Sequence, residues 1–323
     1  MMPLLEVKGL TKYFDLSGDP LSRLFHGTKL LKAVDDVSFS INEGETFGLV
    51  GESGCGKSTT ARLITRLIPA TGGEVIFQDR DILSLPRKRV REIRRDIQMV
   101  FQDPFGSLNP RMKVLEIVGR PVTLYQRLRG RQKIDKVAEL LGLVGLQPEA
   151  MHRYPHEFSG GQRQRIGVAR ALAAQPKLII ADEPVSSLDV SVQAQVLNLF
   201  KKLQKELKLT MLFISHDLNV VEYLADVVAV MYAGKIMEIA PVQEIFQFPQ
   251  HPYTKGLIAS NLTPDSFTAK KTPTLEGEVL LPINPPPGCR LEPRCPIRVE
   301  RCKSFEPALE EKRPRHRAAC HEI

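Results

Sequence analysis

Nine consecutive residues carry the most distinctive chemistry in this sequence: Gly51-Glu52-Ser53-Gly54-Cys55-Gly56-Lys57-Ser58-Thr59. Three glycines let a backbone curl until successive N–H groups face one point, a concavity suited to phosphate oxygens. The run follows Thr46–Val50 (TFGLV), which reads as a buried strand, and opens a helical pattern from Lys57 to Ile68. A helix N-terminus directs its positive dipole end at the same point. Lys57 supplies a cation for β- and γ-phosphates and Ser58 a hydroxyl for Mg2+, while Ser53, Gly54, Cys55, Gly56 and Thr59 complete the cradle. The pattern G-x-x-x-x-G-K-[ST] between strand and helix predicts a nucleoside triphosphate site. Cys55 reads as a small spacer whose N–H matters, with a redox role as the alternative.

A second constellation ends another apolar run. Leu178-Ile179-Ile180-Ala181-Asp182-Glu183 places two acids at the C-terminal end of a buried strand, the edge where open α/β sheets gather their ligands. Asp182 is expected to hold Mg2+, directly or through water. Glu183 is expected to polarise the water that attacks the γ-phosphate.

Four of the five cysteines crowd the C-terminus as Cys289, Cys295, Cys302 and Cys320, among Arg290, Arg294, Arg298, Arg301 and Arg317. In a reducing compartment such a cluster favours metal over disulfides. Neighbouring cations help keep thiolates deprotonated. The spacing lacks the C-x2-C pair of a zinc ribbon and suits either a [4Fe–4S] cluster or a less regular Zn2+ site.

The elements that must position these groups alternate. Short strands at Leu5–Leu10 and Val37–Ile41 precede the phosphate loop, and residues 114–147, Ser159–Ala174 and Val192–Leu207 have helical patterns. Leu178–Ala181 and Met211–Ser215 read as fully buried strands. Strand–helix alternation implies a mainly parallel sheet covered on both faces. Residues 87–95 carry six basic side chains, a solvated helix face or a docking surface for a membrane partner. Beyond about residue 240 prolines accumulate and periodicity fades, which predicts an irregular extension. Over 323 residues, 42% are hydrophobic and 25% charged, enough for a full core. Aromatics are only 6% with no Trp, a poor basis for stacking single-stranded nucleic acid. The net charge of +8 suits an anionic ligand or a membrane surface. No apolar run approaches membrane-spanning length, and the N-terminus lacks a basic region followed by an apolar one. A cytoplasmic protein working on membranes through partners is the expectation.

With these residues placed, the chain resembles the ATP-binding subunits of ABC transporters from residue 4 to about 240. Phe158-Ser159-Gly160-Gly161-Gln162 is similar to the family signature, Gln102 in Val100-Phe101-Gln102-Asp103-Pro104 to the Q-loop, and Ser187-Leu188-Asp189 to the D-loop. His216 matches the switch histidine, and Phe14, with Tyr13 as the alternative, the aromatic that stacks on adenine. The resemblance implies a P-loop NTPase fold: a parallel-sheet core, an antiparallel β subdomain and an α-helical signature subdomain at about 103–170. Residues 1–240 would form this ABC ATPase domain and 241–323 a C-terminal extension. It also implies ATP with Mg2+ held by Ser58, Gln102 and Asp182, and catalysis by Glu183, His216 and Gln102. Two subunits would pack head to tail, each signature (Ser159, Gly160, Gly161, Gln162) and Asp189 closing on the partner's nucleotide.

Phe101–Pro110, His251-Pro252-Tyr253-Thr254 and the Asn284–Cys320 segment resemble dipeptide/oligopeptide permease ATPases, some of which carry a [4Fe–4S] cluster in the extension. The Asp15–Leu31 insertion resembles the F-type member of the ATPase pair. This likeness implies an importer motor with two membrane permease subunits, a solute-binding protein, and a homologous D-type ATPase or a second copy as partner. It would sit peripherally on the cytoplasmic face of the membrane. Other cargo (nickel, glutathione, oligosaccharide) is the alternative. A non-transport ATPase acting on nucleic acid is a weaker one, since nothing here adds a second cassette or a long coiled coil.

Overall fold

The computed structural model describes residues 2–17, 28–261, 275, 277 and 280–323, so most of the Asp15–Leu31 insertion lies outside the described residues. The strands are β1 Leu5–Asp15, β2 Leu30–Ile41, β3 Thr46–Val50, β4 Gly72–Phe77, β5 Arg80–Asp81, β6 Ile97–Val100, β7 Leu178–Asp182, β8 Thr210–Ser215, β9 Val227–Tyr232, β10 Lys235–Pro241, β11 Glu310–Arg313 and β12 His316–Ala318. The chain divides into two compact units, residues 1–84 with 215–323, and residues 85–214.

The first unit contains an antiparallel sheet in the order β2-β1-β4-β5. Alternation in its strands buries Leu5, Val7 and Leu10 of β1 together with Val37, Phe39 and Ile41 of β2. Beside it, β3 runs parallel to β9, and β9, β10, β12 and β11 follow antiparallel. Every residue of β3 is buried, as a strand covered on both faces requires. Gly48 is there because the helix Leu218–Leu224 packs on that strand: a Cβ would lie 2.3 Å from Val221 Cγ1.

The extension is more ordered than its composition predicts. Beyond residue 241 come the helices Val242–Gln247, Pro252–Asn261 and Arg301–Ser304 and the β11–β12 hairpin. Glu238 pairs with Ala318 and Ile239 with Arg317, so the hairpin covers an edge of β10 that would otherwise present unpaired backbone groups. Three of these elements, Arg301–Ser304, β11 and β12, have only three or four residues and are too short to leave a periodic trace in sequence. One buried carboxylate organises the join. Glu238 is fully buried and accepts from Gln250 N (2.7 Å), His251 N (3.0 Å) and His316 Nε2 (2.6 Å). A carboxylate removed from water costs several kcal/mol unless donors surround it, so these bonds fix where the extension begins and ends.

In the second unit, β6, β7 and β8 are parallel, with β7 and β8 buried throughout. Its helices include Val114–Pro121, Gly130–Leu143, Gly160–Leu172 and Val190–Leu207. The helical stretch expected over 114–147 is broken: a π-turn spans Val122–Gln126 and Arg127 has φ 60°. Pro121 brings no backbone N–H, and the regular ladder lapses there. The helix expected from Val192 starts at Val190, and that expected to reach Ile68 ends at Ile64. The basic run forms the helix Arg87–Asp96, with Lys88, Arg89, Arg91, Arg94 and Arg95 exposed and Val90 buried beneath. Among the described residues no helix is long and apolar enough to cross a membrane.

His251 gives this join a pH signature. Burial, only partly offset by Glu238, lowers its pKa from the ordinary 6.5 to about 4. The unfolded chain therefore binds a proton that the native state resists. Stability from this group is complete above pH 6.5 and falls as pH drops toward 4, by about 3 kcal/mol at most. Denaturant unfolding at pH 7 and pH 5 should show a steeper acid loss in the native sequence than in His251→Asn; equal losses would contradict this.

Candidate active site

Where β3 ends, the chain turns through Gly51, Gly54 and Gly56 at φ 153°, 81° and 113° and enters the helix Lys57–Ile64. A Cβ on Gly51 would stand 2.0 Å from Met231 O, and one on Gly56 2.2 Å from Ala33 O, so side chains there would push the loop off its support. Ser53 and Gly54 face outward, while Ser58 and Thr59 are half-buried at the helix start. Lys57 is buried, and its Nζ donates to Gly51 O (2.7 Å) and Glu52 O (2.9 Å), drawing the loop around the ammonium. A buried ammonium on carbonyl partners is poised to exchange them for phosphate oxygens. Cys55 is buried, its carbonyl accepts from Gly234 N (2.8 Å), and burial raises its thiol pKa, which supports the spacer reading over the redox one.

The two candidate adenine aromatics are treated differently by the fold. Tyr13 donates its hydroxyl to Asp35, and burial followed by this bond pushes its pKa up to about 12. Asp35 is also gripped by Arg290 of the extension, which donates to Ala233 O as well. Phe14 is half-buried, with Lys12 Nζ 4.9 Å from its ring centroid. His216 follows β8 and is exposed; Asp217 beside it donates its N–H to Ser215 Oγ (3.0 Å) and accepts from Asn219 N (2.9 Å), which sets the turn that carries it.

In the second unit, Asp182 ends β7 almost fully buried, and Glu183 follows at φ 45°. A glutamate in the left-handed region is strained, and such strain gathers at functional turns. The turn is held by Glu183 N donating to Ile214 O (3.0 Å) and Ser186 Oγ donating to Glu183 O (3.1 Å). Gln102 Nε2 donates to Glu183 Oε2 at 3.2 Å, so two residues singled out separately in sequence meet. Ser159 caps the helix Gly160–Leu172: its hydroxyl accepts from Gln162 N (3.4 Å) while its own N–H donates to Gln162 Oε1 (3.0 Å). Ser159 is exposed at a helix start, where backbone N–H groups can meet an anion. Gly161 packs tightly on the next helix: a Cβ there would lie 2.2 Å from Val192 Cγ1, and that side chain would have to shift. Asp189 precedes the helix Val190–Leu207 and is exposed, as is Val190.

The hydroxyl of Ser58, the carboxylate of Asp182 and the amide of Gln102 are hard oxygen donors of the kind Mg2+ selects, and the buried Asp182 carboxylate suits a nearby cation. The cysteines behave otherwise. Cys289, Cys295, Cys302 and Cys320 lie close enough for Cys289 to sense the other three, yet burial pushes its pKa up to about 11 and raises those of Cys295 and Cys320. Arg290 and Arg294, expected to hold thiolates, are instead bound to Asp35 and Glu52. Among the described residues no three His, Cys, Asp or Glu converge to hold a metal ion. The [4Fe–4S] or Zn2+ site expected from the spacing is therefore not assembled in this structure.

Three residues at the loop escaped the sequence reading. Glu52 was only a variable position of the motif, but Tyr253 and Arg294 of the extension both bind it. The His251-Pro252-Tyr253 run was the visible signal; what it contacts was not.

Residues 34–186 match the ABC transporter family, and residues 237–302 match the oligopeptide/dipeptide transporter C-terminal region. The chain is 49% identical to the oligopeptide transport ATP-binding protein OppF of Salmonella typhimurium over 99% of its length and 96% of that protein's. It is equally similar, at 49%, to AppF of Bacillus subtilis, an oligopeptide transport ATP-binding protein, over 98% of this chain and 97% of the other. Among solved structures, a dimeric post-hydrolysis state of the ATP-binding cassette MJ0796 bound to ADP and Pi superposes with TM-score 0.65 at 30% identity, covering 74% of this chain and 98% of that one. CbiO1 of Clostridium perfringens, part of an ABC transporter complex, gives TM-score 0.65 at 26% identity over 77% and 92%.

The Gly161–Val192 contact yields a stability test. Gly161→Ala should cost roughly 1–3 kcal/mol by overpacking. Adding Val192→Ala should recover part of that loss, a coupling that independent sites lack. Urea unfolding of the two single variants and the double variant measures it; simple additivity would refute the contact.

Proposed function

The chain belongs to the ATP-binding subunits of ABC transporters, in the oligopeptide/dipeptide branch, and on that premise we propose how it hydrolyses ATP to power peptide import. The observation that carries the reading is the phosphate loop: three glycines at positive φ, two of them (Gly51 and Gly56) backed closely by the carbonyls of Met231 and Ala33, with a buried Lys57 at the mouth of a helix. In this reading the loop N–H groups of Ser53 to Thr59 bind the phosphates and Lys57 exchanges its carbonyl partners for β- and γ-oxygens. Ser58, Asp182 and Gln102 hold Mg2+, which neutralises charge developing on the phosphates. Glu183 polarises the attacking water, with Gln102 holding its carboxylate and His216 contacting the γ-phosphate. Phe14 stacks on adenine; the anchoring of the Tyr13 hydroxyl on Asp35 supports this choice. Ser159, Gly160, Gly161, Gln162 and Asp189 close on the nucleotide of a second ATPase, either a D-type homologue or another copy. Closure on ATP and opening after hydrolysis would drive two permease subunits supplied by a solute-binding protein, from the cytoplasmic face of the membrane.

The metal reading of the cysteines rests on their spacing in the sequence and on the family resemblance. Iron, sulfide and zinc per chain after anaerobic purification decide it: about four irons with matching sulfide restore the cluster, and none retires it.

Glu183→Gln tests the catalytic reading. It should leave ATP affinity near that of the native chain and cut hydrolysis by about 10²–10⁴-fold. Peptide uptake by the assembled transporter should stop with it. Undiminished hydrolysis would remove Glu183 from the role, and stimulation of the native ATPase by DNA or RNA would favour the nucleic-acid alternative.

A further inference from the structure

Glu52 occupies the second position of the phosphate loop, and its side chain turns away from the loop into the extension. Arg294 binds it in a fork, Nη1 to Oε2 at 2.8 Å and Nη2 to Oε1 at 3.1 Å. Tyr253 binds it twice more: its hydroxyl accepts from Glu52 N (3.1 Å) and donates to Oε2 (3.2 Å). Neither partner is loose. Tyr253 is fully buried, its ring centroid 4.7 Å from that of Tyr232, and the Arg294 side chain is only 8% exposed. The Arg294 guanidinium also lies 5.7 Å from the Tyr232 ring centroid. Tyr253 is tied in turn to the buried anchor, since its N–H donates to His251 Nδ1 (3.2 Å) and His251 N donates to Glu238. A continuous set of bonds thus runs from the β10–β12 join to the loop backbone.

This matters because of Lys57. Its ammonium draws the loop together through Gly51 O and Glu52 O. Under the proposed function, phosphate takes Lys57 away from those carbonyls when ATP arrives. The restraint on Glu52 from outside does not compete with phosphate and persists. We propose that Tyr253 and Arg294 are positioning residues for ATP binding: through Glu52 they hold the phosphate loop in its binding shape, so that nucleotide affinity depends on a docked C-terminal extension. An extension that looks like an appendage is, on this account, part of the nucleotide site. The inference rests on the phosphate loop binding ATP.

Preorganisation of this kind acts on the population of binding-competent loop, and apparent affinity falls by the fraction lost. Arg294→Ala in the full-length chain should raise Kd and KM for ATP roughly 10- to 100-fold, the range for losing a charge-assisted pair. Its kcat should stay within about two-fold, because the bound loop has the same chemistry. Glu52→Gln, which keeps the tyrosine bonds and loses the ion pair, should raise KM by a smaller factor. The exchanged pair Glu52→Arg with Arg294→Glu should recover part of the affinity, a rescue that general destabilisation does not give. Calorimetric titration with ATP and steady-state hydrolysis read all of these. If the native chain fails to bind ATP, the functional reading itself falls. If it binds ATP and both Arg294→Ala and Glu52→Gln bind it equally well, only the positioning proposal falls. A kcat loss at unchanged KM would also overturn it.

Discussion

A carboxylate with no access to water is the constraint on which this architecture leans. Glu238 sits at zero exposure on β10 and needs donors wherever it can find them. It takes them from the backbone of Gln250 and His251 and from the ring of His316. Those donors come from both ends of the extension, and β10 itself pairs with β9 beside the strand that carries the phosphate loop. Removing any one donor would leave a buried charge short of a partner, a larger penalty than the value of an ordinary hydrogen bond. The extension is consequently docked by electrostatics as well as by the backbone bonds of the β10–β12 pair.

A second buried pair does similar work nearer the nucleotide region. Arg290, almost fully buried, reaches Asp35 of β2 and the Ala233 carbonyl of the β9–β10 turn, and Asp35 takes the Tyr13 hydroxyl. The extension therefore holds the first strands, the β9–β10 turn and the phosphate loop through separate contacts. In a basic segment that suggested thiolate chemistry, Arg290 and Arg294 bind carboxylates instead. Burial outweighs the neighbouring cations at Cys289, Cys295 and Cys320 and raises their thiol pKa values.

The phosphate loop shows how a sequence pattern and a tertiary contact divide one task. Gly54 needs its positive φ alone, with open space around the missing Cβ; Gly51 and Gly56 need theirs and also close approach to Met231 O and Ala33 O. Local conformational preference explains the first, and only packing explains the others. Glu183 is a comparable case in the second unit. Its strained backbone is tolerated because Ile214 and Ser186 fix the turn around it, and the strain aims its carboxylate at Gln102.

What the amino-acid sequence determined by itself was the chemistry carried by local patterns. The glycine loop with Lys57 and Ser58, the acids ending an apolar strand and the buried runs of β7 and β8 all depend on residues close in the chain, where propensity and periodicity act directly. The helix end at Ile64, the hairpin on β10 and the surroundings of the cysteines were decided by tertiary structure. So was the clamp on Glu52, whose partners lie 201 and 242 residues away. Contacts at that separation leave no period in a sequence, and the charge of an arginine names no partner until the fold supplies one. Two of the arginines that composition places among the thiols, Arg290 and Arg294, go to carboxylates instead, Asp35 and Glu52, because a carboxylate short of water needs a charged partner more than a protonated thiol does.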